Sequence, residues 1–347
     1  MTAPHSAGDR QWRAARPVRR KPGRLNRVRL AALYGSVGLV ALHMYAWYVL
    51  DWRAIGKLSF SGFVSLAVGH LNMAAVFCAV LLVSLALYGR LFCGWLCKLS
   101  AFQEATEWLY QRIGFRPALI HTRAQTVRLF TWVPYLLPLL YTWQEVGLST
   151  AYVDLGRVEP WTPDLPKTVL FSAFYFASIT FGLTAMFGRR AFCRLVCPFA
   201  LFFQLFEALP WVPRIRQSRK CIECGVCDTA CPMGLPVQNQ ILHDARVTDP
   251  ECVRCMICVD VCPVKALSFG TGTLIAPQDP ARPVPQRVSA LPVAVDVLLA
   301  TLAVGCGVWA ATRITGFHVF LGASWGLIAG LLLWRLAQRL TRLGAPS

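Results

Sequence analysis

The sequence predicts an α-helical integral membrane protein of about six spanning helices, with a small α+β domain inserted between the fourth and the fifth. Three observations predict it. Of 347 residues, 56% are hydrophobic and 15% are charged, an apolar share above the soluble range. The apolar residues collect in runs of about 20, the length that crosses a hydrocarbon core about 30 Å thick. One stretch, Cys221 to Cys262, interrupts those runs and holds eight of the 14 cysteines.

Residues 1–29 read as a basic, solvated tail carrying nine Arg and Lys, with enough Pro and Gly to oppose a stable helix. Such a tail is drawn to anionic lipid. The pair Arg19-Arg20 is followed by an apolar run of about 21 residues, longer than the apolar core of a signal peptide. An uncleaved anchor is therefore expected at 30–50. Further spans are expected at about 64–88, at 127–143, where Pro134 and Pro138 imply a kink, and at 168–187. Residues 30–213 then form a four-helix membrane domain, and 214–275 the inserted domain. Pro277, Pro280, Pro283 and Pro285 mark a stiff linker over 276–290. Two apolar runs, 291–311 and 314–334, close the chain as a helical hairpin with a short basic tail, within 291–347.

The formal charge of +18 has two ready explanations, nucleic acid and membrane topology. Distribution separates them. Six spans put nine Lys and Arg in the N-terminal tail, six between the second and third spans (counting Arg128 at the entry to the third), twelve between the fourth and fifth, and three at the C-terminus. The opposite side keeps five: Arg53, Lys57, Arg157, Lys167 and Arg313. The positive-inside rule then places both termini and the cysteine-rich stretch in the cytoplasm, where thiols stay reduced. No nucleic-acid partner is needed to explain the charge.

The cysteine-rich stretch reads C-I-E-C-G-V-C-D-T-A-C-P and, after a spacer, C-V-R-C-M-I-C-V-D-V-C-P. Each half is C-x2-C-x2-C-x3-C-P, the bacterial iron–sulfur run, whose fourth cysteine serves the other cluster. Cys221, Cys224, Cys227 and Cys262 are thereby assigned to one [4Fe–4S] cluster. Cys252, Cys255, Cys258 and Cys231 are assigned to a second. The inserted domain is thus a 2[4Fe–4S] ferredoxin-like fold. A pair of zinc ribbons also uses C-x2-C pairs, but has no need of the doubled C-x3-C-P ending.

A repeat with an offset of 100 residues joins the ends of the second and fourth spans. R-L-F-C-G-W-L-C-K matches R-A-F-C-R-L-V-C-P, so Cys93 and Cys97 pair with Cys193 and Cys197. Phe102, Glu107 and Leu109 match Phe202, Glu207 and Leu209. Each copy reads as a span, a C-x3-C at its cytoplasmic end, and an amphipathic segment along the interface. Cysteines four apart share a helix face, so the two pairs are candidates to converge as a redox dithiol, a metal or copper site, or a further cluster. Packing of helix ends is the plain alternative. Arg90, Lys98, Arg190 and Arg194 either favour thiolates or anchor the topology, and Glu104, Glu107 and Glu207 are available to pair with the nearby arginines.

Several other residues are weighed and set lower. His43, His318 and Asp296 lie in apolar runs, where ionisable groups point to function, although a satisfied interior histidine is the commoner case. Cys78 and Cys306 read as inert buried thiols. Trp95, Trp108 and Trp211 suit an interfacial aromatic belt. There is no dinucleotide fingerprint, P-loop or nucleophile–base pair, so the chemistry implied is one-electron transfer.

This combination of motifs resembles the NapH/NosR/MauN group of membrane-bound ferredoxin-type proteins over roughly residues 30–270. Lys98 stands where the first motif of that group has proline. With 29 residues ahead of the first span, no counterpart of the large N-terminal domain of NosR is expected. The resemblance implies a multi-pass protein of the bacterial inner membrane with two [4Fe–4S] clusters, passing electrons between the quinone pool or another donor and respiratory or periplasmic redox enzymes. Membrane lipid, a redox partner protein and a quinone are the implied partners. Similarity to CcoG implies an alternative role in metal-centre assembly or copper reduction through the C-x3-C thiols.

Overall fold

The structure, a computed structural model, describes residues 23–52, 69–115, 152–154 and 177–282, with a few single positions beyond them. The expected third span, the start of the fourth, and all but single helical positions of the last two lie outside the described residues.

Arg24–Val49 is one helix of 26 residues, about 39 Å long at 1.5 Å per residue. Among the described residues it is the one helix that is by itself long and apolar enough to cross a bilayer. Leu39, Leu42, Tyr45 and Val49 are exposed along it. It starts six residues earlier than expected, inside the segment read as tail. The reason is local and tertiary together. No Pro or Gly follows Gly23 until Gly35, and Arg29 is buried, with Nε donating to Asn26 Oδ1 (2.9 Å) and Nη1 to Gly94 O (3.2 Å).

Of the second expected span, 64–88, Leu66 is helical, and residues 64, 65, 67 and 68 lie outside the described residues. Gly69 takes a left-handed turn (φ 81°). His70–Leu71 then pairs in parallel with Tyr152–Val153, and a helix runs from Met73 to Tyr88. Asn72 sets that start, its Oδ1 accepting from Ala75 N at 2.8 Å, which satisfies a first-turn donor. Its 16 residues reach about 24 Å. Together with Leu91–Arg112, bent from it by 101°, it passes the same length and hydropathy test. The described end of the expected fourth span is a π-helical turn, Ser178–Gly182, followed by Leu183–Phe187.

The chain divides into two compact units. One holds Met1–Val37, Leu85–Ala101 and Phe203–Arg287; the other holds Gly38–Ser84, Phe102–Phe202 and Val288–Ser347. In the second unit, helix Lys98–Arg112 places Tyr110 against Phe181, its hydroxyl donating to Phe181 O at 2.8 Å. Glu104 pairs with Arg190, and Glu107 with Arg189 at 2.6 Å. Burial pushes the Glu107 carboxyl up, against the pull of Arg189.

The first unit is built round the cysteine-rich module. Strand Arg214–Gln217 runs antiparallel to Leu267–Gly270, with Ile215 opposite Phe269. Three short helices, Val226–Ala230, Val237–Asp244 and Ile257–Val261, pack beside it. Their core is Ile215, Met233, Leu235, Val237, Ile241, Val247, Val253 and Leu267, together with Cys231, Cys255 and Cys258. Residues expected to be linker belong to this module. Asp279 N donates to Leu242 O (2.9 Å), and Gln278 Oε1 accepts from Cys221 N (2.7 Å).

Candidate iron–sulfur centre

The two cysteine runs fold as near copies, 31 residues apart. Left-handed backbone recurs at matching positions: Glu223 and Arg254, Gly225 and Met256, Gly234 and Lys265. Such turns bend the chain around a centre, and outside glycine they carry strain of about 1 kcal/mol or more each. A one-turn helix follows in each run, and its end leaves Cys231 and Cys262 extended. The proline after each prevents the helix from continuing.

The cysteines sort into two rings. Cys221, Cys224, Cys227 and Cys262 line one void of about 380 Å³, part of it open to solvent. Cys231, Cys252, Cys255 and Cys258 line another of about 340 Å³. No thiol lines both voids. Among the described residues, no three Cys, His, Asp or Glu converge as a single ion requires. Zinc needs its thiolates about 2.3 Å from one point; a cube with metal at four corners needs them spread around a void. The donor set and its spacing therefore fit two cubane clusters.

Backbone amides aim at the sulfurs. Leu235 N donates to Cys231 Sγ (3.4 Å) and Ala266 N to Cys262 Sγ (3.3 Å), the same contact in each run. Glu223 N donates to Cys221 Sγ (3.4 Å). Such bonds stabilise thiolate charge and tune a cluster's potential. Without metal, burial pushes the Cys252 thiol up to about 12 and those of Cys221, Cys227 and Cys258 above the usual range. Metal binding must therefore release protons here, and cluster loading is favoured as pH rises.

The C-x3-C motifs have a local structure that differs from the expected single helix. Cys93 lies in helix Leu91–Trp95, and Cys193 in Ala191–Leu195. Cys97 and Cys197 fall in the break that follows. In both copies the break is closed by paired bonds to one carbonyl: Leu96 N and Cys97 N to Phe92 O, and Val196 N and Cys197 N to Phe192 O. The doubled acceptor ends the helix before the second cysteine, so the thiols of a pair do not share one helix face.

The copies then diverge at two offset positions where glycine faces arginine. Gly89 and Gly94 correspond to Arg189 and Arg194. A Cβ on Gly94 would lie 2.4 Å from Val253 O, and one on Gly89 would overlap the Arg254 guanidinium. The first copy is thus pressed backbone to backbone against the Cys252–Cys258 loop. Cys93 packs on the module's core. Trp95 Nε1 donates to Arg254 O (3.1 Å), and Arg90 Nη1 to Pro250 O (2.9 Å). In the second copy, Arg194 instead donates to the carbonyls of Arg189 and Phe187. The buried Cys193 Sγ accepts from Gln103 Nε2 at 3.3 Å, while Gln103 Oε1 accepts from Phe192 N.

Glu207 joins the first copy to the module. It is 4% exposed and meets Arg254, 2% exposed, through both guanidinium nitrogens. Its Oε1 also accepts from Arg90 N at 3.1 Å. Trp211 Nε1 donates to Ala86 O, so Trp95 and Trp211 act as bonded anchors as well as apolar surface. His43 meets Trp47 and Trp52 edge-on, and Cys78 is fully buried. His318, Asp296 and Cys306 lie outside the described residues.

Gly94→Ala is expected to lever the 91–97 turn off the cysteine loop, since backbone, not a flexible side chain, is what its Cβ meets. Hydrogen exchange should rise around Val253–Met256, with Gly38→Ala, which meets nothing, as the silent control.

A 4Fe-4S dicluster domain model matches residues 220–267, and a 4Fe-4S binding domain model matches 70–116 and again 169–218. The second match falls once on each copy of the repeat. Among curated proteins, YccM of Escherichia coli is 27% identical over 201 residues, 56% of this chain and 54% of YccM. NirI of Paracoccus denitrificans is 29% identical over 188 residues, 51% of this chain and 25% of NirI. The ferredoxin-type protein NapH of Haemophilus influenzae is 24% identical over 223 residues, 60% of this chain and 72% of NapH. A ferredoxin-type MauN and a regulatory NosR also match. The chain spans about half of YccM and a quarter of NirI. No solved structure matches.

Proposed function

We propose that this NapH/NosR/MauN-type ferredoxin-type protein is a membrane-bound one-electron carrier linking the quinone pool or a protein donor to a respiratory or periplasmic redox enzyme. The observation that carries the reading is the sorting of eight cysteines into two separate rings. Cys221, Cys224, Cys227 and Cys262 would hold one [4Fe–4S] cluster, and Cys231, Cys252, Cys255 and Cys258 the other. Bound there, the clusters supply reversible one-electron oxidation and reduction.

The chain's own residues set the conditions. The amides of Glu223, Leu235 and Ala266 stabilise sulfur charge. Arg254 brings a buried cation beside the second ring, which favours the more negative reduced state. Trp95, Gly94 and Arg90 fix that ring against the turn after Tyr88. The location is the bacterial inner membrane, with several spans and with both termini and the module in the cytoplasm; the Lys and Arg distribution and helix Arg24–Val49 support it.

The hydrocarbon core is about 30 Å thick, so transfer to the far side needs a carrier beyond the module. A quinone, or a metal held at the Cys93–Cys97 pair or at the Cys193–Cys197 pair, is that carrier in this reading. The test is anaerobic. A quinol should reduce the iron-loaded protein without copper present. If quinol leaves it oxidised while copper binds stoichiometrically and is lost on replacing those four cysteines with alanine, the chain is an assembly or copper-reducing factor instead.

A further inference from the structure

The two cysteine rings are unequally placed. The thiols of the second ring are the more buried: Cys255 is 9% and Cys258 8% exposed, and the 91–97 turn presses on its loop through Gly94 and Trp95. The first ring opens outward. Cys224 is exposed, and Ile222 beside it is 58% exposed. An apolar side chain at the lip of a redox centre is surface that a partner can cover.

The charge around that lip is specific. Ser218 N and Arg219 N both donate to Ala266 O, and Ser218 Oγ donates to Lys265 O. These bonds hold the 218–220 segment beside 265–266, so Arg219, Lys220 and Lys265, all exposed, gather at one edge of the Cys221 ring. Glu223 on the lip is already held by Arg282 at 2.5 Å, a guanidinium whose charge Asp279 also favours. The lip is therefore net positive around an apolar centre.

We propose that this lip, Ile222 ringed by Arg219, Lys220 and Lys265, is the docking port for a soluble one-electron carrier with an acidic surface. The port rests on the electron-transfer reading and gives it an order: electrons enter or leave the cytoplasmic side at the Cys221 ring, and the Cys252 ring is the membrane-facing partner. Small electron-transfer contacts of this kind bury little area, and complementary charge governs their encounter rate. Association should therefore weaken steeply with salt.

The test uses the full chain, iron-loaded, in lipid nanodiscs without anionic lipid, and flavodoxin as the acidic probe. Flavodoxin binding should weaken at least tenfold in the Arg219→Glu, Lys220→Glu, Lys265→Glu variant, and fall with salt in the wild type. Ile222→Ser should weaken binding without changing the salt slope. Arg112→Glu, remote in sequence and stacked on Trp108, should leave it unchanged. Unaltered iron content and dithionite reduction in the triple variant show that the carrier itself is intact, so a failure of that reading would be seen separately. Unchanged flavodoxin binding in the triple variant overturns the port. So does a result in which the triple variant loses only its attraction to anionic vesicles, which would assign the cations to the membrane.

Discussion

Replacing Glu207 with alanine should destabilise the chain by about 3–5 kcal/mol, the loss found when one partner of a buried ion pair is removed. Among the described residues, Glu207 is the carboxylate bonded to Arg254, and Arg90 N and Arg254 both rely on its Oε1. Without it, the Arg254 guanidinium is left charged in a pocket only 2% exposed. The Arg214 side chain, which donates to Glu207 O, adds a second cation nearby. Glu207→Gln keeps an acceptor but not the charge and should fall between the two. The check is thermal or urea unfolding of the solubilised protein. A loss below about 1 kcal/mol would place the pair in the class of exposed salt bridges and contradict the buried junction described here.

Replacing Cys262 with alanine should empty the same ring as replacing Cys221, although Cys262 lies in the second run. The void lined by Cys221, Cys224, Cys227 and Cys262 shares no thiol with the other. Each substitution should thus remove about four irons and leave about four, the content of one cubane. Cys231→Ala should in turn match Cys252→Ala. Reduced-state EPR of the Cys262 and Cys221 variants should show one and the same remaining centre. If Cys262→Ala instead matched Cys252→Ala, each run would hold its own cluster and the crossed assignment would fall.

The cysteine runs were legible because ligand spacing is local chemistry. Two thiols one helical turn apart, and a proline that ends the turn, need no knowledge of the remaining chain. The repeat was legible for the same reason, and it reappears as Leu91–Trp95 and Ala191–Leu195 with the same doubled acceptor. What the sequence hid was long-range. Hydrophobic runs located the helices Arg24–Val49 and Met73–Tyr88, but the early start at Arg24 depends on Arg29 meeting Gly94, 65 residues away. The break at Gly69–Asn72, ahead of the helix at Met73, depends on Asn72 and on a strand pairing with Tyr152. The junction of the first copy with the module was marked, though faintly: glycine at 89 and 94 against arginine at 189 and 194. Loss of side chains in one copy only is the trace of a backbone that must come close. Likewise Gln278 and Asp279 sit among prolines and read as linker, because their bonds to Cys221 N and Leu242 O are invisible to composition.

In the function proposed, eight cysteines of the Cys221–Cys262 module hold two [4Fe–4S] clusters for one-electron transfer. Anaerobic purification of the full chain with iron, sulfide and zinc counting, read beside EPR of the reduced protein, tests it most directly. About eight irons in the module and a spectrum of two interacting paramagnetic centres are the expected result. Stoichiometric zinc with no iron, and no EPR signal on reduction, would contradict it.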